Sequence, residues 1–156
     1  MSRYPQGSTY FIDECAKYFP NLFFHEHNKD SVNTILHNCP KKIIFHLTAL
    51  NDKFKGSQLS GLNRPQVLKH FSTAANLDAE ASLEGNPKRK SDLTFKFIND
   101  NKALEDVYCE PHLKLCHTDG YPGDSSYSND RRIYFHEGKE HIQKGKILIG
   151  HIGEHL

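Results

Sequence analysis

The sequence of 156 residues reads as an α+β protein, with N-terminal helices packed on an antiparallel, strongly curved β-sheet formed by the C-terminal half. Two patterns lead there. Before about residue 75 the apolar residues recur at helical spacing, and from residue 93 onward they alternate with polar ones as strand residues do. The length suits one domain with a real core. It divides into a mainly helical part (1–75), a polar insert (76–92) and a β-meander (93–156).

Taken in order, Ser8 or Thr9 can cap a helix in which Phe11, Ile12, Cys15 and Phe19 share a stripe, and Pro20 stops it. A short aromatic patch follows around Phe23 and Phe24. A segment capped by Asp30 or Ser31 ends before Pro40. Ile43, Ile44, Leu47, Leu50 and Phe54 give the clearest helical period in the chain, with Gly56 as its closing signal. Asn63 then caps a helix of about ten residues with Pro65 in its first turn, running through Val67, Leu68 and Phe71. In the polar insert, acids precede a Lys88-Arg89-Lys90 cluster beside Pro87, the composition of a solvated loop. The segment from Leu93 to Ile98 alternates and is bounded by Asn-Asp-Asn, so it opens a hairpin into the strand that carries Glu110, His112 and Lys114. A long Gly/Ser/Asp/Tyr loop separates that strand from Arg131. In the last strand the apolar residues fall on both parities, as in a central strand covered on both sides.

Composition narrows the function classes. Lys+Arg total 20 against 19 Asp+Glu, so no global field marks a nucleic-acid or membrane-surface binder and any polyanion site is local. Histidine stands out at 11 residues, and it is the side chain that titrates near neutrality. Cys15, Cys39, Cys109 and Cys116 show no paired CxxC spacing, no apolar leader opens the chain, and no apolar run spans a bilayer. A reduced, cytoplasmic protein is the expectation.

The chemistry concentrates between Leu104 and Leu156. Strand alternation puts Glu110, His112 and Lys114 on one side, with Cys109, Leu113 and Leu115 on the other. It groups Arg132, Tyr134 and His136 opposite Arg131, Ile133 and Phe135, and it gives His151, Gly153 and His155 one parity. Cutting RNA without a metal requires a base for the 2′-hydroxyl, an acid for the leaving oxygen and cations for the phosphorane. His151, His155 and His112 are the candidate proton carriers. Lys114 and Arg132 are the candidate phosphate clamps. Tyr134 is placed to stack on a base or bind a phosphate oxygen, and Arg131, Lys88 and Arg89 are further candidate RNA contacts.

Helices followed by an H-x-K-L strand, an R-I-Y-F strand and a terminal I-x-H-I-G-x-H-L strand resemble the RelE-type toxin ribonucleases and the wider group of small barrel endoribonucleases that includes EndoU. The resemblance covers about the last third of the chain. It implies metal-independent cleavage of RNA, no cofactor, a toxin or defence role, and an antitoxin or other neutralising protein as partner. It assigns Lys114 and Arg132 to the phosphate, His155 or His151 to acid/base catalysis, and Tyr134 to the base.

Other chemistries fit some of the same residues. Asp106, Glu110, His112 and Lys114, helped by Glu80 or Asp92, would suit a magnesium- or zinc-dependent nuclease, although the spacing departs from an acid two residues before the lysine. Cys109, His112, Cys116 and His117 are a zinc-type ligand set, but alternation sends the two thiols to opposite faces unless the strand breaks at Pro111. His25 and His27 would share a strand face as a partial metal site. A non-catalytic nucleic-acid or protein interaction module, its histidines under helices and its arginines paired to acids, would carry the same pattern. Convergence of Lys114, Arg132 and a late histidine on one face separates catalysis from that last case.

Overall fold

Helical periodicity in the first half becomes four helices, and alternation in the second becomes most of two sheets. The protein is described here from a computed structural model for residues 8–59, 61–115, 131–154 and 156. The helices are α1 (Ser8–Tyr18), the short α2 (Asn28–Ser31), α3 (Pro40–Gln58) and α4 (Arg64–Ala74). The capping expected of Ser8 or Thr9 lies outside the described side chains. Asn63 does what its position implies: its side chain accepts from the Gln66 backbone N–H at 3.0 Å, and the Gln66 side chain accepts from the Asn63 N–H at 3.2 Å. Gly56 does not close α3, which continues to Gln58 with Leu59 as its C-cap.

The strands are β1 (Leu22–Phe24), β2 (Thr94–Ile98), β3 (Leu104–Tyr108), β4 (His112–Lys114), β5 (Arg131–His136) and β6 (Ile147–Glu154). Their main sheet has the order β1-β6-β5-β4, while β2 and β3 form a separate hairpin. The expected sheet is corrected in two respects. A strand from the helical half, β1, joins it parallel to β6, so the sheet is mixed and open rather than wholly antiparallel and C-terminal. The strand predicted to run from the hairpin through Lys114 breaks between Cys109 and Pro111, since proline cannot donate to a ladder, and β4 leaves the hairpin to pair with β5.

Both faces of the sheet are covered. Leu113, Ile133, Phe135, Ile147, Ile149 and Ile152 pack with Phe11, Leu47, Phe54 and Phe71 of the helices. Phe23, Tyr134 and Leu148 pack beneath the hairpin with Phe97, Val107 and Cys109. β6 is therefore the central strand its double apolar parity implied. The polar insert is not wholly solvated: Ala81 is buried, and Ser82 bridges to His112 at the sheet edge through two backbone hydrogen bonds of 2.9 and 3.2 Å. No helix among the described residues is long and apolar enough to cross a membrane.

Candidate functional site

Residues directly opposite each other in an antiparallel pair project to the same side. Register thus assembles two adjacent rows on the hairpin side of the main sheet. His112 pairs with Tyr134, and Tyr134 with His151; Lys114 pairs with Arg132, and Arg132 with Gly153. The first row reaches this face only because of a bulge. Tyr134 faces His151 but Phe135 faces Ile149, so Gly150 is skipped and the parity of β6 reverses there. Ile147 and Ile149 look toward the helices, and after the bulge Ile152 does so, leaving His151 on the Tyr134 side.

Arg132 is the hub. Its Nη1 donates to the Tyr134 hydroxyl at 3.2 Å and to His112 Nε2 at 3.2 Å, and stands 3.7 Å from Glu84 Oε2. Arginine only donates, so the Nε2 of His112 carries the lone pair and its Nδ1 carries the proton, directed at the Glu110 carbonyl 3.3 Å away. The Ser82 hydroxyl lies 3.3 Å from the same Nε2. Burial, reinforced by the Arg132 charge, pushes His112 down to about 4. Burial likewise raises the Tyr134 phenol, so at neutral pH the imidazole is uncharged and the hydroxyl keeps its proton.

Beyond Tyr134 the row continues into a histidine pair. The rings of His27 and His151 stack with centroids 5.0 Å apart, and His27 Nε2 meets His151 Nδ1 at 2.7 Å. His151 Nε2 lies 2.7 Å from the Glu154 carbonyl, which can only accept. With both rings neutral, the proton of His151 is on Nε2, its Nδ1 accepts, and His27 donates from Nε2, leaving His27 Nδ1 with the lone pair. His25 stands behind: its Nδ1 accepts from the His27 backbone N–H at 3.0 Å. Burial lowers both His25 and His27, and for His27 the neighbouring His25 adds to it.

Of the residues singled out from the sequence, His112, Lys114, Arg132, Tyr134 and His151 converge on this face. They are deeply set, with Tyr134 0%, His112 3%, His151 3% and Arg132 8% exposed, while Lys114 and His27 are half-buried. Tyr134 is thus not a stacking surface for a base: ring and hydroxyl are both buried, and the hydroxyl serves as an acceptor for Arg132. Arg131 points the other way by strand parity and lies 3.7 Å from Glu154. Arg89 reaches the site indirectly, 3.5 Å from the Glu84 carboxylate that also faces Arg132, whereas Lys88 lines a different cavity. His155, Cys116 and His117 lie outside the described residues.

No metal reading gathers its ligands among the described residues. Glu110 is engaged by Arg64 at 3.2 Å, and Glu80 and Asp92 are exposed. Cys109 is buried under the hairpin with its thiol pushed up by desolvation; the strand does break before Pro111, the condition its zinc-type set required, but Cys116 and His117 of that set lie outside the described residues. His25 and His27 follow β1 in a turn rather than lining a strand face, and His27 bonds to His151 instead. Among the described residues no three His, Cys, Asp or Glu side chains are grouped to hold a metal ion.

Sequence reasoning missed three members of the site: His27, Ser82 and Glu84. The His25-Glu26-His27 triplet was visible, but its partner across 124 residues was not. For Glu84 the available signal was the alternation of Ala81, Leu83 and Gly85 with Ser82 and Glu84 inside an otherwise polar insert. No family model, no curated protein and no solved structure matches this chain.

Proposed function

We propose that the chain is an endoribonuclease that cuts RNA by attack of the 2′-hydroxyl, without a metal. The observation that carries this is the block in which the paired cations Lys114 and Arg132 lie directly beside the His112–Tyr134–His151 row. Lys114 and Arg132 hold the scissile phosphate, Arg132 turning toward it guanidinium hydrogens that otherwise bond His112 and Tyr134. His27 accepts the 2′-proton on Nδ1, backed by His151, whose two nitrogens are engaged by His27 and the Glu154 carbonyl. The buried Tyr134 hydroxyl accepts from Arg132 and holds its guanidinium in place, while the half-buried Lys114 ammonium donates the proton that the leaving 5′-oxygen takes up. The acid/base role proposed for His151 from its sequence position is thereby shared with His27. A cytoplasmic toxin or defence role, with a neutralising protein as partner, follows from the resemblance of the last third to RelE-type ribonucleases.

Total RNA incubated with the purified protein, with and without EDTA, tests this directly. Cleavage insensitive to EDTA, lost by about 10²–10³-fold in Arg132→Ala as for removal of one transition-state donor, is the expected result. Cleavage restored only by magnesium would replace it with the metal-dependent reading. An Arg132→Ala variant that cuts as well as the parent but melts earlier would make the polar face a structural network of an interaction module.

A further inference from the structure

A groove of about 980 Å³ lies over the outer face of the β2–β3 hairpin, bounded by the 87–91 turn, the first residue of α4 and the end of β5. Its lining is cationic, but most of that charge is already matched. Lys96 is 2.8 Å from Asp106, Lys139 is 3.4 Å from Glu105, and Arg64 is 2.6 Å from Glu137. Lys88 and Lys90 differ. Neither is in an ion pair among the described residues, and both line the groove. The turn that carries them starts at Pro87, where the Asn86 side chain accepts from the Lys88 N–H at 3.1 Å. It sends the intervening Arg89 inward to Glu84.

The second feature is aromatic. Tyr108 lines the groove, half-buried, and Lys90 Nζ stands 5.5 Å from its ring centroid. Unmatched lysines beside a tyrosine face are what a single nucleic-acid strand uses: cations for the phosphates and a ring on which a base stacks, with little demand on sequence. The groove also neighbours the candidate site along β5. His136 lines it and has the strand parity of Tyr134 and Arg132, four residues from Arg132, which is roughly 13 Å of extended chain. Arg89 and Glu84 bridge the same gap from above, at 3.5 and 3.7 Å between Arg89, Glu84 and Arg132.

We infer that this groove binds the single-stranded RNA flanking the bond to be cut, with Lys88 and Lys90 on its phosphates and Tyr108 under a base. The inference rests on the ribonuclease reading and adds to it the strand's path and the single-strandedness of the substrate. Binding is measured by fluorescence anisotropy with a labelled 12-nucleotide RNA in which every 2′-hydroxyl is methylated, so that cleavage cannot intervene. Two lost phosphate contacts are expected to flatten the slope of log K against log salt by about 1.4 in the Lys88→Ala/Lys90→Ala double variant, at about 0.7 per contact for single strands. The double variant to arginine keeps the slope. Tyr108→Leu is expected to weaken binding at least about five-fold, the low end of one base stack. An unchanged slope and affinity in the lysine variant, equal binding of a duplex of the same length, or displacement of the RNA by a mononucleotide at equal concentration would each overturn the groove assignment. Cleavage of unmodified RNA that persists alongside those outcomes would leave the ribonuclease reading intact, whereas Arg132-independent or absent cleavage removes that reading and leaves the binding result to stand by itself.

Discussion

β5 turns Ile133 and Phe135 toward the helices and Arg132 and Tyr134 toward the hairpin, and all four are buried. The two sides of one sheet are thus equally deep and differently built. On the helix side the contacts are hydrocarbon and ring edges: Phe54 meets Phe71 and Phe135 with centroids 5.2 and 5.4 Å apart, both nearly perpendicular. Such a face gains from every apolar area removed from water. On the hairpin side every buried donor and acceptor has to find a partner or lose its hydration uncompensated. Each half also contains a buried histidine displaced in the same direction for the same first reason. His46 in α3 and His112 in β4 are both pushed to about 4 by burial. Their neighbours separate them. His46 donates from Nδ1 to the Lys42 carbonyl at 2.7 Å and its Nε2 has no hydrogen-bond partner among the described residues, while the Nε2 of His112 faces Arg132 and Ser82. A shifted imidazole therefore reports burial, and only the groups around it report chemistry.

The largest effect that would sharpen the contrast is on stability. Phe54→Ala removes the ring that joins α4 to β5 and is expected to cost about 3–5 kcal/mol, the usual range for a buried phenylalanine, measured by urea denaturation. A cost under about 1 kcal/mol would mean that the helix side is not the cohesive face. A second effect ties the faces together through pH. In the folded chain His46 and His112 stay neutral down to about 4, while an unfolded histidine takes up its proton near 6.5. Between those values the unfolded state binds more protons, so stability is full above about pH 6.5 and is lost as the pH falls toward 4. The contribution is on the order of 3 kcal/mol per histidine at most. Urea midpoints between pH 7 and 4.5 should show this decline, and His46→Leu should flatten it while leaving cleavage of RNA at pH 7 unaltered. An equally steep decline in that variant would show that His46 does not titrate with unfolding.

These contrasts also mark what could be read from residue order alone. Local grammar was legible: the Asn63-Pro65-Gln66 start of α4, the alternation in β2 and β5, and the double parity that makes β6 central. The face shared by His112, Lys114, Arg132 and Tyr134 followed from alternation within short segments. Features set by distant pairing were not legible. β1 is only three residues long and gains its identity from β6, more than 120 residues away. Glu84 reads as part of a polar stretch until Arg132 and Arg89 are placed beside it. Gly56 reads as a closing signal, yet α3 runs through it to Gln58, and Gly61 rather than Gly56 adopts the left-handed backbone. Whether His151 faces the site or the helices depends on one skipped residue, which no periodicity reveals.

That skipped residue gives the smallest and most local expectation. A Cβ at Gly150 would stand 2.6 Å from Phe95 Cδ2 and 2.8 Å from Cys109 Sγ, two side chains held between the hairpin and the sheet. Neither is the loose end of a flexible chain, so Gly150→Ala has to lift the hairpin or straighten the bulge. Lifting the hairpin costs packing and is expected to destabilise by about 1–3 kcal/mol, as for a methyl forced into a filled core. Straightening the bulge would turn His151 toward the helices, because register fixes the face of every residue beyond it. The two responses differ in readout. A lifted hairpin lowers the unfolding midpoint and leaves the pH profile of RNA cleavage in place, whereas a straightened bulge separates His151 from His27 and abolishes cleavage, and it lowers the midpoint further because it turns Ile152 out of the helix-side core. An alanine variant unchanged in both respects would show that the hairpin does not press on β6, and with it the contrast between the two faces would fail.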